Sequence, residues 1–216
     1  MIYFLLLLFI LFAGSRTIYV IYSVHKITRK SVAKCFRPLR TAIIIGSGGH
    51  TTEMLKLLQN LNPRNYSPRI YIMASTDTSS EVKIHQTENN SFSRNGSPCY
   101  EIVTIPRSRS VGQAYITSVF TTFFASFASL PVMLKKRPEL IICNGPGTCI
   151  PICVVAFLMR VLCITNSKIV FVESICRVKT LSLSGKILLL FADKVLVQWP
   201  KLHEVYRRTT YIGRLT

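Results

Sequence analysis

Residues 41–54 read TAIIIGSGGHTTEM, and this stretch indicates the class of fold most directly. Its apolar run at 43–45 is rich in β-branched residues and predicts a strand buried on both faces, as in a parallel sheet. The glycines that follow permit backbone angles closed to other residues and a close approach to the main chain. The pattern then becomes helical. Thr51 or Thr52 is positioned to cap this helix, whose free N–H groups would face the loop.

A strand, a glycine turn and a helix start in this order are typical of an anion site suited to a phosphate or diphosphate. The spacing matches neither GxGxxG nor a Walker motif, and a plain turn without a ligand is the alternative. His50 is a candidate catalytic base, phosphate donor or loop-holding residue, and its place at a helix start favours the neutral imidazole. The candidate phosphate-binding residues are Gly46, Ser47, Gly48, Gly49 and Thr51.

The 216-residue chain is strongly basic, with 27 Lys and Arg against 9 acidic residues and a net charge of +18. This excess predicts an anionic partner, which is a membrane surface, a phosphorylated substrate or nucleic acid. Nucleic acid is disfavoured because the basic residues are scattered in short pairs and form no known binding motif. The seven cysteines lack CxxC pairs and indicate reduced core thiols. We expect neither a metal nor a cofactor.

Residues 1–24 predict a single transmembrane anchor. Two apolar runs flank Gly14-Ser15-Arg16 and together are long enough for one spanning helix. Arg16 falls past the middle of this helix, where a charge is costly. A cleaved signal peptide is the alternative, but no charged segment precedes the apolar run.

Residues 25–40 form a basic linker with seven basic side chains. By the positive-inside rule such a cluster stays in the cytosol, so we expect a single-pass protein whose body faces the cytosol. The sequons at Asn65, Asn89 and Asn95 are then expected to remain unglycosylated.

Residues 41–216 alternate between strand-like and helix-like patterns. This order predicts an α/β domain with a Rossmann-like parallel sheet, which binds ligands at the carboxyl ends of its strands. The expected strands are 41–45, 69–74, 100–105, 139–143, 168–172 and 194–198. The expected helices are 51–61, a short helix within 75–97, 111–134, 150–163 and 183–191.

The helix expected over 111–134 carries no charged residue. Its phenylalanines at helical spacing leave two alternatives, a face packed in the core or aromatics presented to a bilayer surface. A second membrane span is disfavoured because the helix is rich in Ser and Thr and is bracketed by strands. The phenylalanines are Phe120, Phe123, Phe124 and Phe127.

Three further loops follow predicted strands. Arg107 and Arg109 either hold a diphosphate by paired hydrogen bonds or lie in a solvated turn. Glu173 is a candidate base or sugar ligand, with an ion pair to Arg177 as the structural alternative. The second glycine turn adds Asn144, Gly145, Gly147 and Thr148 to the candidate site.

Five blocks of the chain resemble a known family. They are GSGGHTTEM at 46–54, IPRSR at 105–109, CNGPGTC at 143–149, VESICR at 172–177 and VQWP at 197–200. In this order they are similar to the membrane-anchoring subunit of the heterodimeric eukaryotic UDP-N-acetylglucosamine (UDP-GlcNAc) transferase. More distantly, they resemble the N-terminal half of bacterial MurG, a GT-B glycosyltransferase.

The resemblance implies the acceptor-side half of a GT-B enzyme, anchored in the endoplasmic reticulum membrane. A soluble catalytic subunit would bind UDP-GlcNAc, and the complex would add the second GlcNAc to GlcNAc-diphosphodolichol in N-glycan precursor assembly. The isolated chain is expected to be inactive, and the catalytic base is His50, Glu173 or a group on the partner. The expected partner-docking tail comprises Tyr211, Ile212, Gly213, Arg214, Leu215 and Thr216, with a frayed terminus as the alternative.

Two other functions remain open. A Rossmann-type nucleotide-binding protein is disfavoured by the glycine spacing and by the lack of an acid about 20 residues further on. The second open function is a recruitment scaffold that does not bind the acceptor. An activity assay with and without the partner subunit separates these alternatives.

Overall fold

The computed structural model describes residues 1–27, 37–91, 100–108, 113–145 and 148–215. After an N-terminal helix, strands and helices alternate as the sequence predicts. The strands are β1 Thr41–Ile44, β2 Arg69–Ala74, β3 Tyr100–Ile105, β4 Leu140–Asn144, β5 Lys168–Val172, β6 Lys194–Val197 and β7 Thr210–Tyr211. The helices are α1 Ile2–Ile27, α2 Gly49–Gln59, α3 Thr78–Ser91, α4 Tyr115–Lys136, α5 Cys149–Val161, α6 Leu183–Leu188 and α7 Pro200–Val205, with a 3-10 turn at Pro63–Asn65.

The strands form one sheet in the order β3-β2-β1-β4-β5-β6-β7, and every neighbouring pair is parallel. The chain builds outward from β1 to β3 and then returns to the other side of β1 with β4. In doubly wound sheets this reversal leaves a crevice outside the carboxyl ends of the two central strands. The predicted Rossmann-like parallel sheet is confirmed.

Residues 42–45 show why the first strand is apolar throughout. Ala42 and Ile44 belong to the core that includes residues of α4, α5 and α6, whereas Ile43 and Ile45 belong to the core with residues of α2 and α3. Successive side chains of a strand point to opposite faces of its sheet. Because helices cover both faces, each position of the run needs an apolar side chain.

Three elements differ from the sequence-based expectation. The strand β7 and the helix α7 were not expected, and α7 begins at Pro200 because the first turn of a helix tolerates proline. The helix α3 has 14 residues and is longer than the short helix predicted there. Its attachment depends on Ile84, which is buried, and on Glu88, whose carboxylate accepts hydrogen bonds from Arg69 and Tyr71.

Helix α4 presents its phenylalanines outward. Its buried face is formed by small or flexible side chains, including Ala125, Ser129 and Met133. The core alternative is therefore wrong for the four phenylalanines, whose exposed fractions lie between 65% for Phe123 and 73% for Phe120. Both α1 and α4 are long and apolar enough to cross a membrane. Because α4 packs on the sheet through Met133, we treat it as part of the domain.

Helix α1 runs past the expected anchor boundary to Ile27 and packs against the end of α5. Val20 and Val24 form an apolar cluster with Val161. The guanidinium of Arg16 lies 3.5 Å from the carbonyl oxygens of Arg160 and Val161. These carbonyls end α5, where the helix dipole favours a cation, so the Arg16 charge meets partial negative charge within the protein.

Asp193 joins the end of α5 to the start of β5. Its carboxylate accepts two hydrogen bonds from Arg160 Nη1, at 3.1 and 3.0 Å, and one from the Ile169 amide at 2.9 Å. Lys168 Nζ lies 3.3 Å away, and the side chains of Arg160 and Asp193 are each only 7% exposed. The buried guanidinium of Arg160 therefore has the Asp193 carboxylate as its ion-pair partner.

Replacing Asp193 with alanine should lower the free energy of unfolding by about 3 kcal/mol, because Arg160 would stay buried without its carboxylate. The measurement is equilibrium urea unfolding of the full chain in detergent micelles. Glu204→Ala is the matched control, since Glu204 is exposed, and its effect should stay within about 0.5 kcal/mol. Equal midpoints for the two variants would contradict a supporting role for the cluster.

Candidate functional site

The candidate site lies where the topology reverses. β1 and β4 pair in parallel, with Ile44 opposite Cys143, so the loops that follow the two strands lie side by side. The first loop leads to α2 and carries His50, while the second begins at Asn144 and leads to α5. The structure thus brings together two of the motifs predicted to form the site.

His50, Asn144 and Glu53 form a hydrogen-bonded chain across the two loops. His50 Nδ1 lies 3.0 Å from Asn144 Oδ1, and Asn144 Nδ2 donates to Glu53 Oε2 at 2.9 Å. Glu53 Oε1 accepts from Ser174 Oγ at 2.9 Å and from the Ile175 amide at 3.1 Å. An ionised carboxylate only accepts, so Asn144 turns its NH2 group towards Glu53 and its oxygen towards His50. His50 Nδ1 therefore carries the proton, which leaves Nε2 as the acceptor atom of the neutral ring.

Glu53 also sets the charge preference of His50. Its carboxylate oxygen lies 3.7 Å from His50 Nδ1, which is an ion-pair distance beyond a direct hydrogen bond. Glu53 raises the pKa of His50 above its ordinary value; burial opposes this rise and Asn144 adds to it. The expectation that the helix start favours the neutral imidazole is therefore wrong. The Glu53 carboxylate, one helical turn away, is the main cause of this rise.

The pKa of Glu53 is displaced in the opposite direction. Burial alone would raise it, but the nearby His50 imidazole and hydrogen bonds from Asn144, Ser174 and the Ile175 amide together lower it to about 2. Glu53 is therefore ionised at neutral pH. Glu53 is not among the site residues predicted from the sequence, although its spacing of three from His50 on a helix indicates that the two side chains share a face.

Two of the glycines make room for His50. A side chain at Gly46 would place its Cβ 2.9 Å from His50 Cβ, and one at Gly145 would lie 2.8 Å from His50 Cγ. Gly145 also has a φ of +88°, a value that disfavours other residues. These two glycines were predicted as phosphate ligands. The packing of the His50 ring explains by itself why both positions are glycine.

The open part of the first loop is formed by the next residues. Gly48 has a φ of +66°, and a Cβ at either Gly48 or Gly49 would meet nothing within 4 Å among the described residues. Ser47 Oγ accepts a hydrogen bond from Arg107 Nη2 at 3.3 Å, so the structure brings the loop after β3 to the loop after β1. Backbone donors and a guanidinium group therefore lie at one edge of the sheet.

Thr51 does not cap helix α2. The helix begins at Gly49 with Gly48 as its N-cap, and Thr51 lies inside the first turn. Its buried hydroxyl donates to the Gly46 carbonyl oxygen and lies 2.7 Å from Ser80 Oγ. The capping expectation is wrong for both threonines, because the positive φ of Gly48 starts the helix earlier. Thr51 instead holds the loop in place.

Glu173 lies at the end of β5, but its carboxylate is engaged within the protein. It accepts hydrogen bonds from Ser182 N at 2.9 Å, Ser182 Oγ at 3.0 Å and Ser174 N at 3.2 Å, and it is 1% exposed. Burial raises the pKa of Glu173, against the effect of the Ser182 hydrogen bonds. A Cβ at Gly185 would clash with Glu173 Oε2, so this carboxylate packs against α6.

Of the three remaining predicted ligands, the structure describes only Thr148. Thr148 is largely buried at the start of α5, where its side chain makes no capping hydrogen bond. Arg109 and Gly147 lie outside the described residues.

The predicted docking tail packs on its own domain. Tyr211 ends β7, the Ile212 amide donates to the Val197 carbonyl oxygen at 3.1 Å, and Gly213 has a φ of +79°. The frayed-terminus alternative is thus wrong for residues 211–215, whereas Thr216 lies outside the described residues.

Gln198 links this tail to the candidate site. Its Nε2 donates to the Glu173 carbonyl oxygen, and its Oε1 accepts from the Leu215 amide, both at 3.1 Å. The guanidinium of Arg214 lies 4.2 Å from the centre of the Trp199 ring, a cation–π distance. The tail is therefore placed by the same strand ends that place the site.

The fold and this edge define the class, an α/β domain with a doubly wound parallel sheet and a candidate ligand site where the strand order reverses. A crystal structure of MurG from Acinetobacter baumannii matches with a TM-score of 0.56 and 15% sequence identity. The match covers 76% of this chain and 43% of the MurG chain, so the chain spans less than half of that protein. At this identity the likeness shows the fold alone.

The sequence comparison is more specific. Residues 41–215 match the family described as "Oligosaccharide biosynthesis protein Alg14 like", and the chain belongs to this family. Its relatives named UDP-N-acetylglucosamine transferase subunit ALG14 include the Mus musculus protein, 51% identical over 82% of this chain and 83% of the relative. The Homo sapiens protein is 44% identical over 94% of this chain and 95% of its own length. The Schizosaccharomyces pombe protein is 45% identical over 79% of this chain and 80% of its own length. The resemblance identified from the five sequence blocks is confirmed.

Replacing Glu53 with glutamine should lower the pKa of His50, because the carboxylate that favours the imidazolium is removed. The measurement is a histidine-ring NMR titration of the full chain in micelles, with the His50 signal assigned from His50→Gln. Glu204→Gln should leave the titration unchanged. An unchanged pKa in Glu53→Gln would contradict the electrostatic role given to Glu53.

The same pair predicts a sign for the pH dependence of stability. The pKa of His50 is raised on folding, so the interaction stabilises the protein below about pH 6.5 and is lost as the pH rises through the folded pKa. In Glu53→Gln the difference in unfolding free energy from the parent chain should therefore shrink as the pH rises through that range.

Proposed function

We propose that this chain is the acceptor-side subunit of a UDP-GlcNAc transferase that adds the second GlcNAc to GlcNAc-diphosphodolichol in N-glycan precursor assembly. The observation that carries the proposal is the His50–Asn144–Glu53 network at the reversal point of a MurG-like sheet. The printed name of the relatives, a transferase subunit, supports it. This domain offers one wall of a GT-B cleft, so a soluble partner subunit is expected to bind UDP-GlcNAc on the other wall.

The proposed setting is the endoplasmic reticulum membrane, with the body in the cytosol. The apolar helix α1 supports an anchor, and the net charge of +18 supports contact with an anionic membrane surface. We keep the division into an anchor at 1–24, a basic linker at 25–40 and a domain at 41–216 as part of this proposal. The acceptor lipid would then enter the cleft from the membrane that holds the anchor.

His50 is the proposed general base on this chain. As the hydroxyl oxygen of the acceptor GlcNAc attacks the anomeric carbon of UDP-GlcNAc, its proton must leave and UDP departs. His50 Nε2 is suited to take this proton, because Asn144 holds the opposite nitrogen and fixes the tautomer. Glu53 would stabilise the imidazolium that results. Glu173 is a weaker candidate than His50, since Ser182 and Ser174 already occupy its oxygens.

The acceptor diphosphate is proposed to bind at the open part of the first loop. The backbone around Gly48 and Gly49 is open, and Arg107 is held nearby by Ser47. Backbone N–H groups at a helix start, together with a guanidinium group, suit a doubly charged headgroup. Asn144 and Thr148 would then form the floor of the cleft, beneath the ligand.

Dinucleotide binding is less well supported. In dinucleotide-binding domains an acid near the end of the second strand hydrogen-bonds the ribose. Here the nearest such acid is Asp77, and its oxygens accept hydrogen bonds from Ser79 Oγ at 3.0 Å and from Ser80 Oγ at 2.6 Å. The carboxylate thus serves the start of α3.

The divided-site proposal predicts that transfer needs both subunits. The purified full chain in micelles should transfer no GlcNAc from UDP-GlcNAc to a GlcNAc-diphosphopolyprenol, while addition of the soluble partner should give turnover. Transfer by the isolated chain would contradict the proposal, and NAD binding would favour the dinucleotide alternative. Complex formation without acceptor-dependent turnover would favour a scaffold.

The docking role of the tail can be examined in the same assay with a point variant. Truncation would also remove β7 contacts, so Tyr211→Ala is preferable, because this side chain is 46% exposed. The variant should reduce partner retention in a pull-down while the chain unfolds at the parent temperature. Unchanged retention would remove Tyr211 from the proposed interface.

Gly48→Ala should lower turnover of the complex roughly 100-fold, because a methyl group at positive φ shifts the loop that receives the diphosphate. The matched control is Thr52→Ala, an exposed position on the first turn of α2, which should retain parent turnover. Partner binding and the unfolding temperature are measured in parallel. Parent-level turnover in Gly48→Ala would contradict a ligand contact at this loop.

A further inference from the structure

The helices α4, α5 and α6 form a layer on one face of the sheet, and this layer has a groove outside the candidate site. The groove lies between α4 and α5, has a volume of about 460 Å³ and has almost wholly apolar walls. Its walls include Phe123, Phe127, Leu130, Leu158, Leu162 and Ile164. Several of these side chains are well exposed, for example Leu158 at 51%. The groove therefore exposes apolar surface, and apolar patches rimmed by polar residues are typical of interaction sites.

A second cavity of about 510 Å³ adjoins this groove. The two share Ile164 as a wall, and the second cavity is polar and bounded by α1 and the start of β5. Among its lining residues are Arg16, Tyr19, Arg160, Asn166 and Lys168. An apolar groove and a polar, cation-lined cavity thus meet beside the helix that would enter the membrane.

The charges in this cavity do not cancel. Arg160 and Lys168 share the single carboxylate of Asp193. Within the part of the chain that the structure describes, Arg16 contacts only carbonyl oxygens and the ring of Tyr19, and no carboxylate pairs with it. Three cations therefore face one acid, which leaves a net positive charge in the cavity.

We propose that the two cavities together bind one anionic phospholipid, with its phosphate group between Arg16 and Lys168 and one acyl chain in the groove between α4 and α5. The inference rests on the proposed membrane attachment through α1. Continuity with this helix places a lipid within reach, and the cations select a negatively charged headgroup. A soluble anion would leave the groove empty, and a neutral lipid would leave the excess positive charge of the cavity without a counter-charge.

This site differs from the proposed acceptor site. Lys168 begins β5 and Arg160 lies in the last turn of α5, so the cationic cavity is at the amino edge of the sheet. His50 and Asn144 follow the carboxyl ends of β1 and β4. The phospholipid would therefore hold the body against the membrane and take no part in group transfer.

The test is native mass spectrometry of the full chain in micelles that contain equal amounts of dioleoyl phosphatidylserine and dioleoyl phosphatidylcholine. We expect one retained phosphatidylserine per chain, preferred over phosphatidylcholine by at least about fivefold. Equal retention of the two lipids would overturn the proposal. Glycerol phosphate in excess should not displace the lipid; full displacement would reduce the site to an anion pocket and overturn it too. Replacement of the retained lipid by an added polyprenyl phosphate would overturn the assignment to a phospholipid.

Variants separate the two halves of the site. Arg16→Gln should lower the preference for phosphatidylserine about fivefold, and the double variant with Lys168→Gln should abolish it. Leu158→Trp fills the groove and should reduce retention of both lipids. The charge control is Lys56→Gln, at an exposed position on α2, and the bulk control is Phe120→Trp, outside the groove. Parent-like retention in Arg16→Gln or Leu158→Trp would contradict the proposed placement.

Two further measurements, vesicle sedimentation and turnover with the partner, distinguish a failure of the phospholipid site from a failure of the proposed function. A chain that fails to sediment with any vesicle would refute membrane attachment itself. A chain that attaches and supports transfer, yet retains both lipids equally, would refute the phospholipid site and leave the proposed function intact.

Discussion

The parallel pairing of β1 with β4 brings two loops together at one edge of the sheet, although His50 and Asn144 are 94 residues apart in sequence. Backbone hydrogen bonds and buried apolar residues fix this pairing, with Ile44 opposite Cys143. The geometry at the edge therefore follows from the core: a change of register between these strands would separate the imidazole from the amide that holds it. The glycines at 46 and 145 complete this constraint, because the ring fits only where they have no side chain.

Glu53 illustrates how a nearly buried charge can be held without a lysine or an arginine. Only 13% of its side chain is exposed, yet an imidazole, an amide, a hydroxyl and a backbone N–H group surround its two oxygens. Hydrogen bonds to the charged form lower a carboxyl pKa, and here they outweigh the cost of burial. The network also joins α2 to the ends of β4 and β5. One helix and two strands of the sheet are thus coupled to one titrating ring.

Much of the fold could be predicted from local pattern, because the central strands are continuous apolar runs ended by glycine or proline. The elements that were missed depend on contacts distant in sequence. The strand β7 is only two residues long, and α3 carries little apolar periodicity, so its burial rests on Ile84 and Glu88. In the site, the loops and His50 were predictable from position. The roles of Glu53 and Glu173 were not, because they depend on which neighbour reaches each carboxylate, Asn144 in one case and Ser182 in the other.

The contact of α1 with α5 has a mechanical consequence. A helix attached only by a linker would let the body tumble, so that its cleft met the bilayer at many angles and heights. Here Arg16, Val20 and Val24 fasten α1 to the end of α5, and His25 Nε2 lies 3.2 Å from the Leu190 carbonyl oxygen. Under the proposed function, a lipid-linked substrate that diffuses in the plane of the membrane would then meet an opening of constant orientation. The body of the protein therefore loses its rotational entropy once, when the chain folds, and does not lose it again at each encounter with a substrate.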